Sequence, residues 1–330
     1  MTVYSDATID TNAAYQRIKQ FIRKTPLEEC KELSRITRSQ VYLKMEHWQR
    51  TGAFKIRGAL NRMLQLSEEE KSHGVITASA GNHGLGVAFA SELLEMKARI
   101  VLPVSASPTK IKMLNHFGCD IVQAGRDYDE SEDVAYRIEK DCDLTFIHAF
   151  EDNRIIAGQG TIALEILNEL PEADVLLVPV GGGGLISGIG IAAKQIKPEI
   201  QIIGVQSEAS PAMYRALKAN RAIESPIEKT IADGLAGRLV SPNILSTIQH
   251  YVDDMLLVTE NDIVKAILFL LENSRTLVEG AAAVGVAALL SDKISVEGKK
   301  CVVLLTGRNI DTETIRDILN NVYFKKRPKP

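Results

Sequence analysis

Short apolar runs separated by amphipathic stretches dominate the chain from residue 74 onward, and this rhythm predicts its architecture. Strand-like runs at 75–78, 99–104, 120–123 and 145–149 alternate with helical patterns at 82–96, 108–117 and 131–141. A second series follows, with helices at 158–170, 184–196, 211–219, 261–273, 280–290 and 312–321 and strands at 175–180, 201–205, 254–258 and 300–306. Before residue 74 come a helix over 9–22 ended by Thr25-Pro26, an alternating strand at 41–46 and a helix over 54–66. A short turn follows, whose Ser67 and Glu70 have capping-box spacing. Strands that alternate with helices connect through right-handed crossovers into parallel sheets. The expectation is an α/β fold with two doubly wound, mainly parallel sheets, a larger domain from residues 1–72 and 151–330 and a smaller one at 73–150. Ligands of such sheets bind beyond the carboxyl ends of strands. Ala78-Ser79, Val180-Gly181 and Leu305-Thr306 are three such ends, and a small molecule between the domains could touch all of them.

Candidate chemistry sits on the same map. Lys55 lies between Phe54 and Ile56, where poor solvation disfavours an ammonium and leaves an amine able to attack an aldehyde or take a proton. The plain alternative is a lysine that snorkels from an amphipathic helix to water. Ser79-Ala80-Gly81-Asn82-His83-Gly84 and Gly181-Gly182-Gly183-Gly184-Leu185 each follow a strand and open a helix. Such helix starts present unpaired N–H groups and the positive end of the dipole to an anion. Ser79 and Asn82 are also ordinary helix-cap residue types. A rival reading takes Gly182, Gly184 and Gly188 as nucleotide-binding spacing with Glu208 as the ribose partner, which makes a dinucleotide-dependent reductase.

Three motifs together carry a family resemblance: Thr51-Gly52-Ala53-Phe54-Lys55-Ile56-Arg57-Gly58, the asparagine loop Ser79 to His83, and Gly181 to Leu185. The chain resembles pyridoxal-phosphate enzymes of the tryptophan-synthase-β fold type, and among them the serine/threonine dehydratase and serine racemase family. The resemblance implies pyridoxal 5'-phosphate as cofactor, bound to Lys55 as a Schiff base, with Phe54 beside it. It implies that Gly181, Gly182, Gly183, Gly184 and Leu185 cradle the phosphate. Asn82 would meet the phenolic oxygen, and Ser79, Ala80, Gly81, Asn82 and His83 the substrate carboxylate. The hydroxyl of Thr306 would meet the pyridine nitrogen, a weak partner that suits β-elimination over transamination.

The implied activity is conversion of L-threonine or L-serine to a 2-oxo acid and ammonia, with Lys55 as base and the cofactor phosphate as acid. The alternatives are a racemase, or a dehydratase of 3-hydroxyaspartate or a hydroxyectoine-type compound. Ala80 stands where the racemase branch carries a serine base, so inversion should be poor. Gln206 and Ala212 replace the carboxylates of the family's divalent site, so no metal is expected. Ala53 replaces a usual serine, and Arg308 stands in place of a glycine near the expected ring nitrogen. The chain leaves no room for the C-terminal regulatory domains of long threonine dehydratases, so feedback through one is not expected.

Composition narrows the class without changing it. With 45% hydrophobic and 25% charged residues the chain matches an ordinary globular protein able to bury a sizeable core. A net charge of −3 with mixed signs excludes a nucleic-acid footprint, and the basic tail 325–330 reads as a frayed end. Cys30, Cys119, Cys142 and Cys301 show no Cys-x-x-Cys pair and read as reduced, mostly buried thiols. Neither the N-terminus nor any apolar run suggests secretion or a membrane span, so a cytoplasmic homo-oligomer, dimer or tetramer, acting on a small amino acid is expected.

Overall fold

The structure, a computed structural model, describes residues 9–106 and 108–320, and the basic tail lies outside them. Among the described residues ten strands form two sheets. They are β1 (Leu27–Glu29), β2 (Gln40–Lys44), β3 (Val75–Ala78), β4 (Ala98–Leu102), β5 (Asp120–Gln123), β6 (Thr145–Phe146), β7 (Val175–Pro179), β8 (Gln201–Ser207), β9 (Asp254–Val258) and β10 (Lys300–Leu304). The six-stranded sheet has the order β1-β2-β10-β7-β8-β9 and the four-stranded sheet β5-β4-β3-β6. Every pairing is parallel except β1 with β2.

The central strands β7 and β10 are apolar along nearly their whole length because helices cover both faces of the sheet. Side chains alternate between the faces. Leu176, Val178, Val302 and Leu304 pack with residues of the Asn153–Glu169 and Gly184–Ile196 helices. Val175, Leu177, Cys301 and Val303 pack with the Glu260–Asn273 and Gly280–Leu290 helices. A one-residue slip of β10 would exchange the two sets and break both cores.

Several boundaries differ from the sequence expectation. The 54–66 helix is shorter, Ile56–Met63, with Lys55 as its N-cap. The 158–170 helix starts earlier, at Asn153, capped by the Asp152 carboxylate. Five elements were not foreseen: β1, the Lys31–Thr37 and Pro242–Tyr251 helices, and the single turns Glu46–Trp48 and Asp233–Leu235. Ser67 and Glu70 do form the capping box. All four cysteines are free, but Cys142 is exposed and Cys119 half-buried, because the helix bearing Cys142 ends at the surface and only Cys30 and Cys301 reach the core.

Beneath the lysine segment lies a buried group of two acids and two bases. Arg57 donates to both oxygens of Glu46 at 2.8 Å and to those of Glu165 at 2.8 and 2.9 Å. Lys44 donates to Glu165 and to the Thr25 carbonyl, each at 2.7 Å, and the Thr25 hydroxyl donates to Glu46. The four side chains are at most 2% exposed. Burial opposes the charged forms, but the partners outweigh it: Glu46 is held below the usual carboxylate range and Arg57 above its ordinary value. These bonds join β2, the Glu46–Trp48 turn, the Ile56–Met63 helix and the Asn153–Glu169 helix into one block under Lys55.

Candidate active site

The segment around Lys55 is stitched to the end of β10. Phe54 N–H donates to the Thr306 carbonyl at 3.0 Å, Arg308 N–H to the Gly52 carbonyl at 2.9 Å, and the Asn309 amide to the Thr51 carbonyl at 2.9 Å. Ala53 and Gly307 form an isolated bridge. Lys55 and Thr306 therefore sit on one floor, and both line a cavity of about 470 Å³. The Lys55 amine does not snorkel to bulk water; it donates to the Ala149 carbonyl at 2.8 Å and lies 5.5 Å from the Phe54 ring centre. What access it keeps is to the cavity, and burial lowers its pKa to about 8.

Phe54, the Ser79–His83 loop, Gly181 to Gly184, Leu185 and Thr306 all line this cavity with Lys55. At Gly182, Gly183 and Gly184 the loop leaves no room for a side chain. Gly183 has φ +91°, a left-handed conformation that favours glycine, and a Cβ on Gly182 would enter the Phe150 ring. Bare backbone N–H groups at the start of the Gly184–Ile196 helix therefore face the cavity, as a phosphate requires. An anion cradle, a buried amine, a carboxamide and a hydroxyl around one cavity form a donor set that fits a phosphorylated aromatic aldehyde.

His83 is buried with Nε2 2.9 Å from the Ile147 carbonyl, and burial with the nearby Lys55 lowers its pKa to about 3. It is a neutral supporting ring, unsuited to act as a base near neutrality.

Glu279, at the N-cap of the Gly280–Leu290 helix, was not singled out in the sequence. It accepts from the Asn82 amide at 2.6 Å and from the Asn309 N–H at 3.1 Å, while Asn82 accepts from the Asn309 amide at 2.7 Å. Burial, and then Asp233, raise its pKa to about 7 against these hydrogen bonds. A lone carboxylate ahead of the apolar run 280–290 was the available signal. His148, left without a role in the sequence, also lines the cavity, and burial and Lys55 lower its pKa to about 4.

Two expectations need correction. Arg308 is exposed and does not line the cavity, because the turn that ties Gly307 to Glu279 sends its side chain outward, toward Arg23, Lys24 and Trp48. It cannot set the charge of a ring at Thr306. Glu208 is likewise exposed, 3.9 Å from Lys293 and outside the cavity, so the dinucleotide spacing has no ribose partner. Gln206 is buried with its amide engaged by the Val180 carbonyl and the Tyr214 N–H.

Two cations that line the cavity are paired with carboxylates. Lys110 meets Asp233 at 2.9 Å, and Arg238 meets Asp129 at 2.7 Å and Asp127 at 3.2 Å. Among the described residues no helix is long and apolar enough to cross a membrane.

A family profile described as "Pyridoxal-phosphate dependent enzyme" matches residues 18–307. An L-threonine ammonia-lyase from Thermotoga maritima is 43% identical over 320 residues, 97% of this chain and 80% of that protein. The catabolic L-threonine dehydratase TdcB of Staphylococcus aureus is 39% identical over 316 residues, 94% of this chain and 91% of that one. Among solved structures, maize serine racemase superposes with a TM-score of 0.91 at 31% identity, covering 98% of this chain and 99% of that one.

Proposed function

The chain belongs to the pyridoxal-phosphate dependent enzyme family, and on that footing we propose that it is an ammonia-lyase converting L-threonine or L-serine to a 2-oxo acid and ammonia. The observation that carries the proposal is the convergence of the Lys55 amine, the glycine cradle and the Ser79–His83 loop on one cavity. Bound pyridoxal phosphate supplies an electron sink for the pair left at Cα when its proton is removed. Lys55 would hold the cofactor through its aldehyde carbon, and Gly181 to Leu185 its phosphate. Thr306 would face the ring nitrogen, and Asn82, braced by Glu279 and Asn309, would face the phenolic oxygen. Ser79 and the N–H groups of Ala80 to His83 would hold the substrate carboxylate at the start of the Asn82–Leu93 helix.

With an amino acid in place, the Lys55 amine would take the Cα proton; burial lowers its pKa to about 8 and so makes the neutral form more accessible. Loss of the β-hydroxyl then yields an enamine that hydrolyses to the 2-oxo acid and ammonia. Ala80 offers no proton to the opposite face of Cα, so elimination should outrun inversion by roughly the 10²–10⁴-fold that a positioned acid contributes. We place the reaction in the cytoplasm, where four free thiols stay reduced, and in a homo-oligomer. The test is to incubate L-serine and L-threonine separately with cofactor-loaded enzyme and to quantify 2-oxo acid and D-amino acid together. D-serine formed as fast as pyruvate would overturn the assignment in favour of a racemase.

A further inference from the structure

The chain between β6 and the Asn153–Glu169 helix bends through a segment whose two ends are fixed and whose middle touches Lys55. On the entry side Ile147 N–H donates to the Ile76 carbonyl at 2.8 Å, and the Ile147 carbonyl accepts from the Thr77 hydroxyl at 2.8 Å and from His83 Nε2 at 2.9 Å. On the exit side Nδ1 of His148 accepts from the N–H groups of Phe150 and Glu151 at 3.1 and 2.8 Å. A side-chain acceptor that takes the N–H groups two and three residues ahead closes a turn as an asparagine does. The Phe150 ring meets the His148 ring edge-on at 4.6 Å and occupies the space that a Cβ on Gly182 would need. Between these ties the Ala149 carbonyl accepts from the Lys55 amine at 2.8 Å.

Only a neutral ring with its proton on Nε2 can accept at Nδ1, and burial with the nearby Lys55 keeps His148 in that form. Glu132 faces Nε2 at 3.7 Å. A neutral lysine amine has two N–H groups and one lone pair. With one N–H held at Ala149, the rotation of the amine about its carbon is fixed, and the lone pair and the other N–H are left for the cavity that Ala149 and Lys55 line together. Once the amine has taken a proton, the same carbonyl meets an ammonium, and that charge-assisted bond is the stronger of the two.

We propose that the Ala149 carbonyl aims the free Lys55 amine during the elimination, and that His148 is the positioning residue that holds this carbonyl in place. The inference rests on the reading of Lys55 as the base. It also ties the two halves of the site together, because His83 of the Ser79–His83 loop bonds the Ile147 carbonyl, two residues before the carbonyl that holds the amine. A base displaced by about 1 Å costs roughly 10²-fold in rate, which sets the size of the expected effect.

In the cofactor-loaded enzyme, His148→Leu fills the space without an acceptor and should lower kcat for L-serine and L-threonine by about 10²-fold with KM little changed. The Cα-deuterium isotope effect on kcat should rise with it, as proton removal becomes limiting. His148→Asn, whose Oδ1 can take the same two N–H groups, should recover most of the loss. In the cofactor-free wild type, the NMR resonance of the Ala149 carbonyl carbon should follow the titration of Lys55 with a midpoint of about 8, and it should stay flat in Lys55→Met. That measurement needs neither turnover nor a folded His148→Leu. A flat wild-type resonance, equal turnover by the Leu and Asn variants, or an isotope effect unchanged in His148→Leu would each overturn the inference. Wild-type enzyme that forms 2-oxo acid from neither amino acid would instead overturn the elimination reading, and a carbonyl resonance that still follows Lys55 tells the two failures apart.

Discussion

Replacing Arg57 with methionine should cost about 3–5 kcal/mol of stability, the penalty of stranding a buried charge. In the native group two cations balance two carboxylates. After the substitution Lys44 still meets Glu165, but Glu46 keeps only the Thr25 hydroxyl among its side-chain partners. The loss is a large share of the roughly 5–15 kcal/mol that holds a typical domain together. With a slope near 3 kcal/mol per molar it would move the urea midpoint by about 1–2 M.

The deficit should also depend on pH. Glu46 is held below its ordinary pKa in the wild type, so its contribution is complete above about 4.3 and drains away as pH falls through the folded value. Without Arg57, burial instead raises the Glu46 pKa, and a protonated Glu46 needs no cation. The gap between the two proteins should therefore be widest near neutrality and narrow toward pH 4 or so. Urea titrations of both proteins, followed by circular dichroism between acid and neutral pH, measure it. Lys71→Ala, at the exposed pair with Glu68, should stay within about 0.5 kcal/mol of wild type. A loss below about 1 kcal/mol for Arg57→Met, or a gap that ignores pH, would refute the reasoning.

Three further outcomes are expected. Borohydride treatment of the yellow, loaded protein should fix the cofactor on Lys55 by peptide mapping, and Lys55→Ala should release no 2-oxo acid; wild-type turnover by that variant would remove the assigned base. Glu279 has a folded pKa raised to about 7, so its carboxylate weakens the cofactor-free protein as pH rises from about 4.3 through 7. Melting curves should accordingly show Glu279→Gln gaining on wild type above pH 7 or so and matching it in acid, and parallel curves would contradict this. Chelators should leave activity nearly unchanged, since Gln206 presents an amide already bonded to Val180 and Tyr214; a loss restored by magnesium would contradict it.

The sheets were legible wherever the apolar run and its polar or glycine flanks were local facts. Thus 75–78, 120–123 and 254–258 coincide with β3, β5 and β9, and the 184–196 and 280–290 helices also coincide. Misreadings arose where distant contacts decide. The helix read from residue 158 starts at Asn153, and Gly158 and Gly160 lie within it because they mark its close approach to Gly58 and Gly188. The strand foreseen to Ala149 stops at Phe146, and the chain departs to place His148 and Ala149 at the cavity. Ser241-Pro242 is a readable cap followed by a helix-starting proline, and that helix could have been found. Lys55 was readable from its apolar neighbours Phe54 and Ile56, and the two glycine-containing helix starts were readable because each follows a strand end. Glu279 was less so: a lone carboxylate ahead of the apolar run 280–290 is a local signal, but nothing in it says that the carboxylate faces a cavity.

The bridge between Ala53 and Gly307 fixes how the site can change over generations. Lys55 and Thr306 share the floor of the six-stranded sheet, whereas Ser79 to His83, Tyr128 and Glu132 are borne by loops and a helix of the four-stranded one. Amine and selectivity are therefore separate inheritances. Substitutions on the second set can reshape the walls of the cavity while Lys55 keeps its register with Thr306.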